Sequence, residues 1–151
     1  MSEPTSQIAI RRMEPSDAPE VAILIKELGY ERDRDQVAQW IESMLARIET
    51  QIAFVACLGG QVIGWIEISI EHRLQSPPFA LIGGLVVKDG YRNHKLGKSL
   101  CEHAEAWTWE QGLTTLRVTS RSTRTDAHRF YLRNGYTLTK ISQIFEKNQP
   151  K

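Results

Sequence analysis

The chain lacks the features of secreted, membrane-spanning or disulfide-stabilised proteins. It has only two cysteines, Cys57 and Cys101, which lie in apolar sequence and form no metal-ligand spacing. No apolar run approaches the roughly 18 residues that a membrane-spanning helix needs. The first ten residues contain neither a signal-peptide core nor a transit-peptide pattern. We therefore expect a cytoplasmic protein with two reduced, buried cysteines and no membrane partner.

An excess of charge of either sign is also missing. Lysine and arginine total 19 and aspartate and glutamate 18, which gives a net charge of +1 and no overall field that would attract nucleic acid. Arginines between positions 117 and 133 could favour a nucleic-acid-binding domain, but no recognisable binding motif accompanies them. Such a domain would have to show salt-dependent retention on DNA. We expect no nucleic-acid partner.

Repeats, low-complexity tracts and linkers are absent as well. A chain of 151 residues is long enough for one domain with a substantial core and short for two. We therefore expect a single domain over residues 1–151, with the polar residues 1–6 flexible.

Hydrophobic spacing predicts strands and helices along the whole chain. A weak alternation predicts a strand at 7–13, and Asp17 with Glu20 has the spacing of a capping box for the helix that follows. Apolar residues at helical spacing after Asp33 predict a second helix, which packs on a sheet. The remaining predictions are strands at 51–58 and 61–71 joined by a Gly59-Gly60 hairpin, a polar loop at 71–78, a strand at 79–88, a helix at 97–111, a strand at 114–119, a short helix ending at Asn134-Gly135 and a strand at 136–145.

Two features of the predicted sheet allow more than one interpretation. Glu67 follows Trp65 on one face of a mostly apolar strand, either as a rim carboxylate in water or as a functional acid. Gly83 and Gly84 interrupt the next strand. A glycine pair inside a strand indicates a bulge or the close approach of another group, although it could also relieve crowding against tryptophan side chains.

The stretch from Leu85 to Leu100 predicts a strand, a tight turn at Asp89-Gly90 and the start of an amphipathic helix. The first N–H groups of a helix lack intrahelical acceptors and lie at the positive end of its dipole, so they suit a pyrophosphate. Arg92, His94, Lys95 and Lys98 add donors. The spacing matches neither a Walker A loop nor GxGxxG, and an ordinary strand-to-helix connection stays open.

Two motifs in this order resemble those of the GCN5-related N-acetyltransferase (GNAT) family. Residues 92–97, Arg-Asn-His-Lys-Leu-Gly, are similar to the coenzyme A loop Arg/Gln-x-x-Gly-x-Gly/Ala, with Lys95 in place of the first glycine. Residues 127–136 match the later motif, Ala-x-x-apolar-Tyr-x-x-x-Gly-Phe/Tyr, at every position. The resemblance covers residues 52–145 and includes the strand–helix–strand unit between the motifs.

The resemblance implies an α/β (α+β) fold: a mixed, mostly antiparallel sheet with a splayed parallel strand pair and helices on both faces. It implies acetyl-CoA as acyl donor, no metal, and direct transfer to a primary amine. Tyr131 would be the general acid for the leaving thiolate, since a phenol is a competent proton donor. Glu67 is our candidate base, with Glu71 and His72 behind it. The implied cofactor-binding residues are Leu85, Val86, Val87, Arg92, Asn93, His94, Lys95, Leu96, Gly97, Lys98 and Arg124, the last at a position where the family often has asparagine.

An acetyl-CoA-binding sensor without turnover is the alternative from another functional class, and Tyr131 argues against it. The amine acceptor is not determined by the sequence. Polyamines, aminoglycosides, amino acids and the N-termini or lysines of peptides and proteins all stay open. A homodimer is common among proteins similar to this one.

Overall fold

The computed structural model describes residues 8–91, 95–120 and 125–150. The helices and strands are, in chain order, β1 (Ile8–Arg12), a 3₁₀ turn (Pro15–Asp17), α1 (Ala18–Glu27), α2 (Arg34–Leu45), β2 (Gln51–Leu58), β3 (Gln61–Arg73), β4 (Ser76–Val87), α3 (Leu96–Glu110), β5 (Leu116–Val118) and α4 (Thr125–Arg133). By internal contacts the chain divides into two units, Met1–Val118 and Thr119–Lys151. The single domain over residues 1–151 stays a prediction, and residues 1–6 lie outside the described ranges.

The five strands form one mixed sheet in the order β1-β2-β3-β4-β5. The first three pairings are antiparallel, and β4 and β5 are parallel. Gly59 and Gly60 connect β2 to β3 with φ of 58° and 82°, the left-handed conformations that a two-residue hairpin turn of type I′ requires. The predicted fold class, hairpin and strand–helix–strand unit are confirmed.

Helices cover both faces of the sheet. Trp65 of β3 packs in a core cluster with Val21 and Leu24 of α1 and Ile41 of α2. A Cβ added at Gly64 would lie 3.3 Å from Leu100 Cδ1 of α3. Because neighbouring residues of a strand point to opposite faces, α3 lies opposite α1 and α2. The predicted α3 stripe, Leu100, Cys101, Ala104, Trp107 and Thr108, is buried throughout.

The parallel pairing of β4 and β5 is short. β5 pairs with β4 only from Ala80↔Leu116 to Ile82↔Val118, whereas β4 continues to Val87. In the first unit's described residues, no strand pairs with this edge of β4 beyond Ile82. The backbone of residues 83–87 therefore has an open hydrogen-bonding edge, and the predicted splayed pair is confirmed.

The predicted capping box at the start of α1 is wrong. Asp17 accepts a hydrogen bond from the Glu14 N–H at 2.8 Å and a two-pronged ion pair from Arg11, so it caps the 3₁₀ turn that precedes the helix. Glu20 instead accepts the Val62 N–H of β3 at 2.8 Å. The two carboxylates therefore do not bond to each other's backbone N–H groups: Asp17 bonds to nearby residues that precede it, and Glu20 to a residue 42 positions away.

Two other boundaries differ from the prediction. The polar loop expected at 71–78 is a tight connection between Arg73 and Ser76, because both strands extend into it and pair there. The strand expected at 136–145 is wrong: residues 136–150 contain no helix or strand. The alternation in this segment ends at Leu138, since the next apolar residues, Ile141 and Ile144, follow at intervals of three. Those three side chains are exposed.

Candidate active site

A β-bulge at Gly83 places Glu67 opposite a glycine. Glu67 of β3 pairs with Gly84 of β4, but the next pair is Ile68↔Ile82, so Gly83 is the extra residue. A Cβ at Gly84 would lie 2.8 Å from two atoms of the Trp65 ring, and a Cβ at Gly83 would lie 3.3 Å from Glu67 Oε1. The predicted bulge is confirmed, and the alternative explanation, relief of crowding against a tryptophan, also holds.

A cavity of about 630 Å³ opens beside this bulge within the first unit. Trp40, Met44 and Arg47 line it from the α2 side, and Trp65, Glu67 and Gly84 line it from the sheet. Apolar and aromatic walls with a few charged groups are typical of small-molecule sites of this size. The cavity is therefore large enough for a small acceptor molecule.

Glu67 faces this cavity with a perturbed carboxyl group. Its side chain is accessible through the cavity, yet the surrounding protein replaces much of its hydration, and this desolvation raises its pKa above the ordinary value of 4.5. No ion pair in the described ranges offsets the effect. A carboxylate with a raised pKa is a stronger base than an ordinary one, and such a group can accept a proton from an ammonium directly or through water.

Glu71, the acid predicted to lie behind Glu67, is bonded to neighbouring side chains. Glu71 accepts a hydrogen bond from Ser69 Oγ at 2.7 Å and pairs with Arg73 at 3.0 Å. The Ser69 hydrogen bond, followed by that from Arg73, lowers the pKa of Glu71. Neither Glu71 nor His72 lines the cavity. Glu67 is therefore the acid that the fold presents to a ligand in this cavity.

The helix α3 begins where the phosphate site was predicted. Lys95 is its N-cap residue and has φ 57° and ψ 28°, a left-handed conformation that glycine adopts more readily. The helix starts at Leu96, one residue before the predicted Gly97. The N–H groups of Leu96, Gly97 and Lys98 lie in the first turn, where intrahelical acceptors are lacking. Four predicted cofactor-binding residues, Arg92, Asn93, His94 and Arg124, lie outside the described ranges.

The turn before this loop is anchored to α1. Gly90 has φ 90°, the Tyr91 N–H donates to the Lys88 carbonyl, and Glu27 Oε1 accepts the Asp89 N–H at 3.0 Å. Sequence reasoning missed Glu27. A signal was present, because a glutamate in the last turn of a helix opposes the helix dipole and is favourable only with another partner.

The strand segment that was predicted to bind the cofactor, Leu85–Val87, lies beside the bulge. Leu85, Val86 and Val87 pair with Ile66, Trp65 and Gly64 of β3 on one side. Val86 is buried in the core cluster, whereas Leu85 and Val87 are half-buried. On the other side, the backbone N–H and C=O groups of this segment lie on the open edge of β4 described above. An extended ligand can form hydrogen bonds with them as a neighbouring strand would.

The second unit contains Tyr131 at the end of α4. The Tyr136 N–H donates to the Tyr131 carbonyl at 2.9 Å, and the Gly135 N–H donates to the Leu132 carbonyl at 3.2 Å. With Gly135 at φ 92°, this is a Schellman cap, and the rings of Tyr131 and Tyr136 meet edge to face at 5.6 Å. The Tyr-x-x-x-Gly-Tyr spacing therefore has a local structural cause: it ends the helix and orients the Tyr131 ring.

In the described ranges, no group of three or more His, Cys, Asp or Glu side chains could hold a metal ion. No helix there has the length and apolar character that crossing a bilayer requires.

Known proteins resemble the chain over most of its length. The sequence model of the Acetyltransferase (GNAT) family matches residues 17–136. The aminoalkylphosphonate N-acetyltransferase of Salmonella typhimurium is 30% identical over 116 residues, which are 76% of this chain and 71% of that protein.

Solved structures share the fold at lower identity. The aminoglycoside 6′-N-acetyltransferase AAC(6′)-Ih from Acinetobacter baumannii superposes with a TM-score of 0.82 at 19% identity, covering 95% of this chain and 100% of the other. The enzyme AAC(6′)-Iy, in complex with a bisubstrate analogue of CoA and acetylneamine, gives 0.82 at 20% identity over 94% of this chain and 99% of the other.

Proposed function

The chain belongs to the GNAT acetyltransferase family and is an acetyl-CoA-dependent N-acetyltransferase, and from this premise we propose that its acceptor is a small-molecule amine bound in the cavity beside Glu67. The observation that carries the proposal is the Glu67 carboxylate at the Gly83 bulge, facing a cavity of about 630 Å³. Its raised pKa suits removal of a proton from the bound ammonium.

The acyl donor would lie along β4 and the start of α3. The open edge of Leu85–Val87 supplies backbone groups for the pantetheine amides, and one N–H there would polarise the thioester carbonyl. The first-turn N–H groups of α3 fit a pyrophosphate because they combine free donors with the positive end of the dipole. Lys98 and Lys95 add positive charge, and we assign Arg92, Asn93, His94 and Arg124 to the same ligand on the family motif.

The reaction needs three proton movements. Glu67 takes a proton from the acceptor ammonium, the neutral nitrogen forms a bond to the acetyl carbon, and the carbon–sulfur bond breaks. The thiolate of CoA receives a proton, for which we assign the Tyr131 hydroxyl, and the second proton lost by the acylated nitrogen restores that hydroxyl. The products are an acetamide and CoA, and no covalent acyl-enzyme is required. Holding both substrates together supplies much of the acceleration.

Thiol release from acetyl-CoA tests the proposal. The acceptor panel should include aminoalkylphosphonates and aminoglycosides, the acceptors in the names of the related enzymes, together with polyamines, amino acids and short peptides. We expect Tyr131→Phe to lower turnover about 10²-fold while retaining acetyl-CoA affinity, the usual scale for a lost general acid.

The outcomes separate the assignments. Undiminished turnover in Tyr131→Phe removes Tyr131 from the mechanism. Release with peptides but with no small amine contradicts the small-molecule acceptor. Calorimetric binding of acetyl-CoA without thiol release from any amine would support the non-catalytic sensor instead.

A further inference from the structure

We propose that the acceptor carries an anionic group in addition to its amine, and that Arg47 binds this group. The inference rests on the acetyl transfer proposed above and names its substrate class: a short amine bearing a phosphonate, phosphate or carboxylate. It starts from the charges of the cavity, where the ionised side chains are two arginines, Arg32 and Arg47, and one acid, Glu67.

Three acidic residues close in sequence to the residues that line this cavity have other partners. Glu31 pairs with Lys26 at 3.5 Å, and the Asp33 carboxylate accepts the N–H groups of Asp35 and Gln36 at the start of α2. Glu71 is held by Ser69 and Arg73. Glu67 is therefore the acid available to one ammonium, and a polycation would meet two arginines without further acids to bind it.

Arg47 lies near Glu67 along a continuous path of backbone contacts. The Arg47 carbonyl accepts the Gln51 N–H at 2.9 Å, and Gln51 pairs with Ser69 across the sheet. Ser69 is two residues beyond Glu67 on β3, a distance of about 7 Å along a strand. Both Arg47 and Glu67 line the same cavity, so one small zwitterion bound there can place its amine at Glu67 and its anion at Arg47.

The guanidinium of Arg47 also has all five of its N–H donors available within the described residues. Within the described residues it has neither an ion pair nor a side-chain hydrogen bond. Arg32 instead donates to the Glu31 carbonyl at 2.8 Å and stacks over the Tyr30 ring at 5.2 Å. The α2 helix of 12 residues, about 18 Å long, separates the two arginines along the chain. A planar fork of N–H donors is well suited to a phosphonate or carboxylate.

The test compares matched acceptors in the thiol-release assay. A short aminoalkylphosphonate and an amino acid of the same length are set against the amino alcohol that lacks the anion, and against a diamine. We expect kcat/KM to be about tenfold or more higher for the anionic amines, the scale of a charge-assisted hydrogen bond. Arg47→Gln should raise KM for those amines about tenfold, with kcat little changed, and leave the amino alcohol unaffected.

Arg34→Gln is the matched control, because Arg34 is an exposed arginine at the start of α2 that does not line this cavity. It should leave every KM unchanged. A diamine or aminoglycoside as the preferred acceptor would contradict the inference. So would a KM for the anionic amines that Arg47→Gln leaves unchanged or that Arg32→Gln raises equally. None of these results would contradict the proposed acetyl transfer.

Failure of the proposed function gives a different result. If acetyl-CoA binds but no amine gives thiol release, calorimetry can still measure binding of the aminoalkylphosphonate to the anion site. Binding to the wild type that weakens in Arg47→Gln supports the site without the chemistry. Absence of binding to the wild type refutes it.

Discussion

The Trp65 ring lies so close to Gly84 that a Cβ at this position would be 2.8 Å from both Cη2 and Cζ3. The indole Nε1 is buried and has no hydrogen-bond acceptor in the described part of the chain. Packing, rather than a polar contact, therefore fixes the ring. The ring in turn fills the space beside the bulge that presents Glu67.

Gly84→Ala should destabilise the fold by about 1–3 kcal/mol, the cost of overpacking a filled site. Gly83→Ala is the matched variant, because its Cβ would meet only the flexible end of Glu67 at 3.3 Å, and it should change stability by less than about 0.5 kcal/mol. Urea denaturation of both variants checks this. Equal losses would show that strand flexibility, and not the Trp65 contact, requires the glycine pair.

Glu67→Gln should stabilise the protein at neutral pH. The folded-state pKa of Glu67 lies above the unfolded value of 4.5, so the wild type loses stability as the pH rises from 4.5 through the folded-state pKa. Glutamine does not ionise and avoids this loss. Thermal unfolding should therefore give the variant the higher Tm at pH 7, with the gap closing toward pH 4. A gap that is constant with pH would assign the effect to packing instead.

Lys95→Gly should stabilise the start of α3. Lys95 has a φ of 57°, and this left-handed conformation costs a residue with a side chain about 1–2 kcal/mol. Glycine avoids that cost, but it also raises the conformational entropy of the unfolded chain, which offsets part of the gain. We expect a net gain of about 0.5 kcal/mol in the free energy of unfolding. Lys98→Gly removes the same charge within the helix and should instead lose about 0.5–1 kcal/mol. Losses in both variants would mean that the Lys95 side chain is itself stabilising.

Glu27→Ala should weaken acetyl-CoA binding, although Glu27 itself does not contact the ligand in the proposed site. Its carboxylate accepts the Asp89 N–H and so holds the turn before the phosphate loop. Loss of one such hydrogen bond should raise the Kd for acetyl-CoA up to about tenfold, which calorimetry can measure. Glu27→Gln keeps an acceptor oxygen and should recover part of the affinity. Glu31→Ala, which breaks only the exposed pair with Lys26, is the control and should have little effect. Unchanged affinity in Glu27→Ala would show that the loop holds its shape alone.

The sequence predicted those parts of the fold that depend on local chemistry. Gly59-Gly60 forms the predicted hairpin turn through its own backbone conformation, and the Asp33 carboxylate caps the helix that was predicted to follow it. Two motifs sufficed for the family. The roles of Tyr131 and of the loop residues 92–98, like the homodimer, stay predictions.

What could not be predicted depends on partners distant in sequence. Glu20 and Glu27 bond to Val62 and Asp89, which are 42 and 62 residues away, and no local pattern gives such pairs. In the sequence, Arg47 looks like an ordinary exposed cation just after a helix. Only the fold shows that it lines the same cavity as Glu67.

The sequential order of the strands has a consequence for how the molecule is made. Strands β2, β3 and β4 each pair antiparallel with the strand just before them in the chain, and every residue that lines the acceptor cavity lies between Met13 and Gly84. The parallel contact of β4 with β5 must wait for the crossover of 28 residues between Val87 and Leu116. Local pairings close early because their loops are short. We expect pulse-labelled hydrogen exchange to protect β2 and β3 before β5, so that on the ribosome the acceptor half takes shape while the donor half is still being translated.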